Sequence, residues 1–447
     1  MTTTEPKAPP EAPGGLPLLG HALAMKRRAG DFLLGLQDGS PVTRIRLGPK
    51  PAYVVNDPSL MREVQRDSDV FGRGGPITER FRQLFGNGLG ISDGELHSRQ
   101  RALIQPAFHH GKIVGYAELM SRNAARLSES WRDGQRVAVD EAMDALALEN
   151  VTQVIFSLDT EMDRNHFMSA TTVVLGGLFR KIGDTTGLLT RLPTPRNREY
   201  EREAAYLRRS IREVIADYRS TGTDRGDLLS MLLLARDEDG RPAMTEQQVH
   251  DEVMTFFIAG SNTISNTLSW TFHELASNPA AERRLHAELD AVLAGRPAGY
   301  ADLPQLDYTR RVVTETLRTR TQGVFLAKVT TREAVLGGYR IPAGATVFYS
   351  FHALNHSPAI HPDPERYDPD RWLPERAKVI PRGAFMPFSA GVHGCIGDQF
   401  AWAEMIIVLA TLAGRWRLLP VPGHQPKPKP AITMPVDSLP MTVQRRV

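Results

Sequence analysis

The chain contains a single cysteine, Cys395, in the stretch Phe388-Ser389-Ala390-Gly391-Val392-His393-Gly394-Cys395-Ile396-Gly397. Three glycines surround the sulfur, and an apolar helical pattern from Phe400 to Leu412 follows directly. Glycine lets backbone approach closely and take φ > 0 without a Cβ clash. A sharp loop running into a helix N-terminus aims amides at the sulfur, and these favour thiolate over thiol. A thiolate held in this way suits heme iron as an axial ligand, because it pushes electron density toward dioxygen bound there. The competing reading is a small buried hydrophobe, so other residues must decide.

Three further constellations could do chemistry. His97 and Arg101 lie four apart on a helical pattern, Glu95 to Phe108, and so share one face. They read as an exposed basic face or as a grip on a carboxylate. A helix over Thr245 to Ser277, opened by a capping box of Thr245 and Gln248, carries Phe256-Phe257-Ile258-Ala259-Gly260-Ser261-Asn262-Thr263 at its middle. A glycine there costs about 1 kcal/mol relative to alanine. Close packing on another helix would offset that, and so would a local opening that admits oxygen and water. Glu315 and Arg318, three apart on a helix over Tyr308 to Arg320, would alone read as a surface ion pair.

Phe388, Gly391, Cys395 and Gly397 fall at the spacing Phe-x-x-Gly-x-x-x-Cys-x-Gly, which resembles the heme-binding signature of the heme-thiolate monooxygenases, the cytochrome P-450 family. The resemblance implies heme b as cofactor and Cys395 as its iron ligand. His97, Arg101, Lys328 and His393 would then hold the propionates. Ala259, Gly260 and Thr263 match the family's Ala-Gly-x-acid-Thr motif, while Asn262 stands where an acid is usual. Thr263 would orient the water that delivers a proton, and the amide of Asn262 can orient water but supplies none. Glu315, Arg318 and Arg371, the last in Pro369-Asp370-Arg371-Trp372, match a structural triad that locks the scaffold of the ligand loop. No proline follows the triad helix in Thr319 to Phe325, which alters the backbone path many members share.

The resemblance also implies dioxygen as co-substrate and an apolar small molecule as substrate. Phe85, Leu89, Phe256, Phe257, Val324, Phe325, Leu326 and Met434 are the candidate pocket residues. Electrons would come from a separate ferredoxin and its reductase, since no cysteines remain for a cluster and no length for a flavin domain. The docking face would be the one nearest Cys395, with basic residues such as Arg99. Leu16-Pro17-Leu18-Leu19-Gly20-His21, Asp227-Leu228-Leu229-Ser230-Met231 and the Pro369 segment are similar to bacterial members that oxidise cyclic terpenes in secondary metabolism. A peroxygenase driven by hydrogen peroxide and a non-catalytic heme protein are the rival readings.

The elements that position these groups are read as mainly α with a small β region, in one heme domain over residues 15–447. Residues 1–14, rich in proline and small side chains, read as a disordered tail. Val42 to Leu47 and Ala52 to Val55 alternate like strands about a Gly48-Pro49 turn. Phe71 to Asp93, crowded with glycines, reads as a loop over the pocket, and Gly183 to Arg196 as part of the channel roof. Ile432 to Pro435 reads as a turn dipping into the pocket. No apolar run is long enough for a signal peptide or membrane span, which implies a cytoplasmic protein without a membrane anchor. A net charge of +3 carries no nucleic-acid signal, and one cysteine excludes an intrachain disulfide.

Overall fold

In the computed structural model the described residues are 5–156, 164–183, 192–429 and 434–446. Helices dominate, and the strands are β1 (Val42–Leu47), β2 (Lys50–Val55), β3 (Phe71–Gly72), β4 (Arg136–Ala138), β5 (Leu326–Thr330), β6 (Ala334–Leu336), β7 (Tyr339–Ile341), β8 (Thr346–Tyr349), β9 (Trp416–Pro420) and β10 (Pro440–Arg445). One sheet runs β1-β2-β8-β5-β3, a second β4-β10-β9, and β6 pairs with β7. The pair β1 and β2 is antiparallel, with Val42 opposite Val55, as the alternation predicts.

The element that crosses the molecule is the helix Glu246–Ser277, 32 residues long and so roughly 50 Å. The Thr245–Gln248 capping box is present, and Pro279 opens the next helix, Pro279–Leu293, in its first turn. The long helix stays α-helical through Phe256 to Thr263, so the local opening considered above does not form. A Cβ on Gly260 would lie 2.7 Å from Val151 Cγ2. The small residue is therefore there for close approach to the helix Val139–Phe156, not for the cavity.

Two expectations fail for related reasons. Phe71 to Asp93 is not one loop: it contains β3 and the helix Gly75–Phe85, with Pro76 in the first turn. Ile77, Phe81, Leu84 and Phe85 carry the helical spacing that the surrounding glycines obscured. Nor are all of residues 1–14 a loose tail. Arg44 N donates to Pro10 O and Ala12 N to Arg44 O, both at 2.8 Å, while Arg340 N donates to Lys7 O at 2.9 Å. Glu11 bridges Arg44 and Arg46 at 2.7 Å each. Strands β1 and β7 present unpaired edges, and the N-terminal segment supplies the missing partners.

Behind the ligand loop runs the helix Asp398–Arg415, buried along most of its length. Its Glu404 accepts from Asn150 Nδ2 at 2.8 Å, and Asn150 Oδ1 accepts from Asn123 at 2.8 Å, so three helices share one buried polar chain. Burial pushes the Glu404 carboxyl up to about 8, against the bond from Asn150. Most of the segment Gly183 to Arg196, and Ile432 and Thr433 of the expected turn, lie outside the described residues; the next helix starts at Pro195.

Candidate active site

The ligand loop is shaped by close contacts rather than by its glycine count. Gly391 takes φ +71, and a Cβ there would meet Gln65 O at 2.5 Å, so the loop can seat on the helix Pro58–Arg66 only with glycine. Gly397 is under no such demand: its φ is −95 and a Cβ would find Phe108 at an ordinary 3.6 Å. What Gly397 contributes is its amide, which bonds the Cys395 sulfur. Cys395 N donates to Phe388 O at 2.9 Å, and the Phe388 ring packs on Trp402.

The electrostatics differ from the expectation. Burial pushes the Cys395 thiol up, against the Gly397 amide and nearby Arg101, while Asp398 adds to the rise. One amide is aimed at the sulfur instead of several, and desolvation wins. Cys395 is nevertheless accessible to solvent. Dense surroundings together with access are what an internal cavity provides.

The long helix carries Ala259, exposed in the middle of an otherwise buried element, and half-buried Thr263. Thr263 Oγ1 donates to Ala259 O at 2.7 Å, which leaves its lone pairs to accept from a water. Asn262 Nδ2 donates to Ser261 Oγ at 3.3 Å, on the side turned away from Thr263. Ser265 Oγ donates to Asp144 at 2.5 Å from that same side.

Beside the ligand loop the fold gathers Arg73, His97, Arg101, Lys328 and His393 around one carboxylate, Asp93. Lys328 Nζ is 2.9 Å from His393 Nδ1, and His393 Nε2 is 3.0 Å from Asp93. The His97 and His393 rings meet edge to face at 4.6 Å. Arg101 donates to Gly394 O at 2.7 Å and Val392 O at 3.2 Å, so it braces the ligand loop as well as facing the cluster. Burial lowers Lys328 to about 8, Arg73 to about 10 and His97 to about 4, with neighbouring cations adding to each shift. Burial would raise Asp93, but bonds from His393 and from the amides of Arg73 and Gly94 outweigh it and hold it low. Burial holds the His97 and His393 imidazoles toward the neutral form, and the three cations Arg73, Arg101 and Lys328 against one acid are unfavourable unless anions join them. Two propionates are anions of the right kind and number, so the residues present fit heme.

Arg73 and Asp93 were missed from the sequence. The sequence signal for Arg73 was its place as the lone charge among Gly72, Gly74 and Gly75, whereas the approach of Asp93 to Gly72, 2.9 Å from where a Cβ would lie, exists only in the fold. Also missed was Glu252, fully buried, which accepts from Leu89 N at 2.9 Å. Burial pushes it up to about 8. With Asp251, which accepts from Asn87 N at 2.8 Å, it docks Gly86–Gly90 on the long helix.

The apolar candidates divide. Phe256 is half-buried beside Phe108, and Leu326 is exposed on the strand face that carries Lys328. Phe85 and Leu89 are buried in the cluster that includes the upper part of the long helix. Phe257 turns away: it is buried between Phe156 and Phe167, at 5.0 and 4.9 Å between ring centroids. Phe325 turns away too, packing edge to face on Phe348. Val324 O accepts from Ser350 at 2.6 Å, and Met434 O accepts from Trp270 Nε1 at 3.3 Å.

The triad residues form one buried unit. Arg318 donates to both oxygens of Glu315, at 2.8 and 2.9 Å, and Arg371 reaches it at 3.3 Å. Trp372 Nε1 and Asp368 N complete the carboxylate at 2.9 and 3.0 Å. Arg318 also donates to Asn355 O and Arg371 to Pro362 O, each at 2.8 Å. The triad thus ties the helix Asp307–Thr319 to the irregular segment that leads to the ligand loop.

An accessible cysteine in a glycine-shaped loop and a cluster of basic side chains beside it are what a heme-thiolate protein requires. The chain belongs to the cytochrome P-450 family, whose sequence profile matches residues 9–441. It is 42% identical over 431 residues to cyclooctat-9-en-7-ol 5-monooxygenase of Streptomyces melanosporofaciens, covering 95% of this chain and 94% of that protein. It is 40% identical to cyclooctatin synthase of the same organism, covering 97% and 95%. To pentalenene oxygenase of Streptomyces avermitilis it is 37% identical, covering 93% of each. The crystal structure of the cytochrome P450DA heme domain superposes with a TM-score of 0.85 at 26% identity, covering 99% of this chain and 98% of that one. The protein is a monooxygenase of this family with heme b as its cofactor. Among the described residues no helix is long and apolar enough to cross a membrane.

Proposed function

We propose that this monooxygenase inserts one atom of dioxygen into a cyclic terpenoid, with electrons from a ferredoxin and its reductase. One oxygen atom goes to the substrate, and the other leaves as water with two protons and two electrons. The bound heme supplies oxygen activation through its thiolate-ligated iron. The substrate class is carried by identity of 37–42% along almost the entire chain to three oxidases named for cyclooctat-9-en-7-ol, cyclooctatin and pentalenene.

The roles of the side chains follow from their positions. Cys395 ligates the iron. Arg73, His97, Arg101, Lys328 and His393 hold the propionates. Ala259 leaves room over the cavity, and Thr263, its own proton committed to Ala259 O, accepts from the water that delivers protons. Phe256, Leu326 and Met434 present apolar surface to a hydrocarbon skeleton. The scaffold role falls to Glu315, Arg318 and Arg371.

The test has two stages. The reduced protein exposed to carbon monoxide should absorb at the long wavelength that distinguishes sulfur ligation. Cyclic terpenes, terpene alcohols, fatty acids and macrolides are then screened for displacement of the Soret band to shorter wavelength, and hits are incubated with ferredoxin, reductase, NADPH and 18O2. Label in a terpenoid product supports the reading. Turnover with hydrogen peroxide alone, and none with ferredoxin, replaces it with a peroxygenase. Oxygen consumed without product replaces it with a non-catalytic heme protein.

A further inference from the structure

Turning dioxygen into product and water takes two protons for each turnover, and the side chains so far placed around Thr263 supply neither. The Thr263 hydroxyl is committed to Ala259 O at 2.7 Å. Asn262 carries an amide, which positions water but gives up no proton. A titratable group must therefore stand behind them, with solvent on one side and the long helix on the other.

Asp144 has that position. It lies half-buried on the helix Val139–Phe156, which packs along the long helix. Its carboxylate accepts from Ser265 Oγ at 2.5 Å. Ser265 is 1% exposed, and its hydroxyl is also 3.4 Å from Asn262 O. Around the helix axis Asn262 lies about 60° from Ser265 and about 100° from Thr263, between the two. Asn262 Nδ2 is bonded to Ser261 Oγ over 3.3 Å, a long bond that a turn of the side chain gives up at little cost. Asn262 and Thr263 are both half-buried, so each keeps surface that water can touch.

The charges around Asp144 suit a proton carrier. Burial pushes its carboxyl above the ordinary range, against the bond from Ser265. Asp140 and Glu141, on the same helix, add to the rise, and Lys429, in the segment before β10, opposes it. From the long helix Asp144 meets a hydroxyl rather than a charge. A carboxyl raised in this way keeps its proton closer to neutral pH than a free aspartate does.

We propose that Asp144 and Ser265 form the proton inlet of this monooxygenase, taking from a neighbouring helix the part that the amide of Asn262 cannot play. Asp144 takes a proton from solvent. Its O–H passes that proton to Ser265 Oγ, while the Ser265 proton moves to a water held by the Asn262 amide and on to the water from which Thr263 accepts. Ser265 then turns back, and the ionised Asp144 is reprotonated from solvent. Two passes supply the two protons of a turnover. Neither side chain touches the reacting atoms, so both are positioning residues that act through Asn262 and water. The proposal rests on the use of dioxygen with electrons from ferredoxin.

The test uses the full-length heme-loaded protein with ferredoxin, reductase, NADPH and dioxygen, with cyclooctat-9-en-7-ol as the probe and without it. Asp144→Asn keeps an acceptor for Ser265 and should melt close to the parent. It should divert electrons to hydrogen peroxide, enlarge the solvent deuterium isotope effect on oxygen consumption and lower product by about tenfold, less than for an acid that touches the reacting group. Ser265→Ala should do the same, and the double variant no more than either alone. Turnover with hydrogen peroxide, which brings both protons with it, should fall far less. Asn262→Asp added to Asp144→Asn puts a carboxyl next to Thr263 and should restore coupling, which it would not do if Asp144 only supported the fold. In the resting protein, the infrared carbonyl stretch that the Asn variant lacks should shift promptly in D2O. Coupling and isotope effect unchanged in Asp144→Asn, a loss that Asn262→Asp does not repair, or a carboxyl shielded from exchange would each overturn the proposal. A parent that reduces no dioxygen with ferredoxin and works on hydrogen peroxide alone defeats the dioxygen reading itself, and the inlet with it.

Discussion

Two clusters of buried arginine and its kin lie on either side of the ligand loop, and their charge balance is opposite. At Glu315 every partner is present: two guanidiniums, an indole and an amide saturate one carboxylate, and the remaining donors find backbone carbonyls. At Asp93 the balance fails, with five basic groups facing one acid and several driven below their ordinary pKa by burial and mutual repulsion. A closed network is complete in itself and serves as scaffold. An open one is left with unfavourable charge that added anions would relieve, which fits it to the propionates of heme.

That contrast predicts opposite responses to losing a charge. Glu315→Gln should be the most damaging change, leaving two buried guanidiniums uncompensated at a cost of about 3–5 kcal/mol. The check is soluble yield and heme content, both expected to collapse. Lys328→Met should do the reverse to the heme-free protein, raising its melting point by about one degree for about 1 kcal/mol. In the same variant heme should pass faster to an apomyoglobin acceptor.

The pH dependence sharpens the same point. Lys328 has a folded pKa near 8 against 10.5 for the free group, so its charge destabilises the heme-free fold below about 8. That penalty is relieved as pH rises from about 8 to 10.5, and the relief should be missing in Lys328→Met. Glu404 has the opposite sign: raised from 4.5 to about 8, it stabilises the fold fully below 4.5 and loses that contribution as pH climbs to about 8. Glu404→Gln keeps the acceptor for Asn150 and should flatten thermal stability across that interval.

Two glycines of the ligand loop give a finer comparison. Gly391→Ala meets Gln65 O at 2.5 Å in a left-handed conformation and should cost about 2 kcal/mol or more. Gly397→Ala keeps its amide, meets only Phe108 at 3.6 Å, and should change the melting point by about 0.5 °C or less. Thr263→Ala should leave stability almost unchanged and raise the peroxide released per pair of electrons, read by peroxide assay. Unchanged coupling would remove Thr263 from proton delivery.

Much of this site was legible without coordinates, and the misses share a cause. Cys395, Glu315, Arg318, Arg371, His97 and Arg101 are named by type and spacing, because their chemistry is specific and the local spacing is short. The long helix announced its start in Thr245 and Gln248 and its end in Asn278 and Pro279. Phe256 and Phe257 were indistinguishable as sequence, yet one step of 100° along the helix puts the first beside Phe108 and the second between Phe156 and Phe167. Phe325 likewise follows strand alternation onto Phe348, leaving Leu326 on the face of Lys328. Gly260 stood between close packing on another helix and a local opening, and the structure assigns it to the approach of Val151.

The sequence by itself singled out Cys395 and the element that spans the molecule, and through its resemblance to the family the members of the triad. The helix and the loop of Cys395 are written in spacings of a few residues, which covalent geometry and local hydrogen bonding translate directly, whereas Arg371 is joined to Glu315 and Arg318 from 53 positions away. Only the tertiary structure decided that Arg73 and Asp93 join His97, Lys328 and His393, that Glu252 holds the loop of Leu89, and that the thiol of Cys395 is raised rather than lowered. Those outcomes depend on burial and on charges brought together from distant parts of the chain, and desolvation is a property of the folded neighbourhood that no single segment carries.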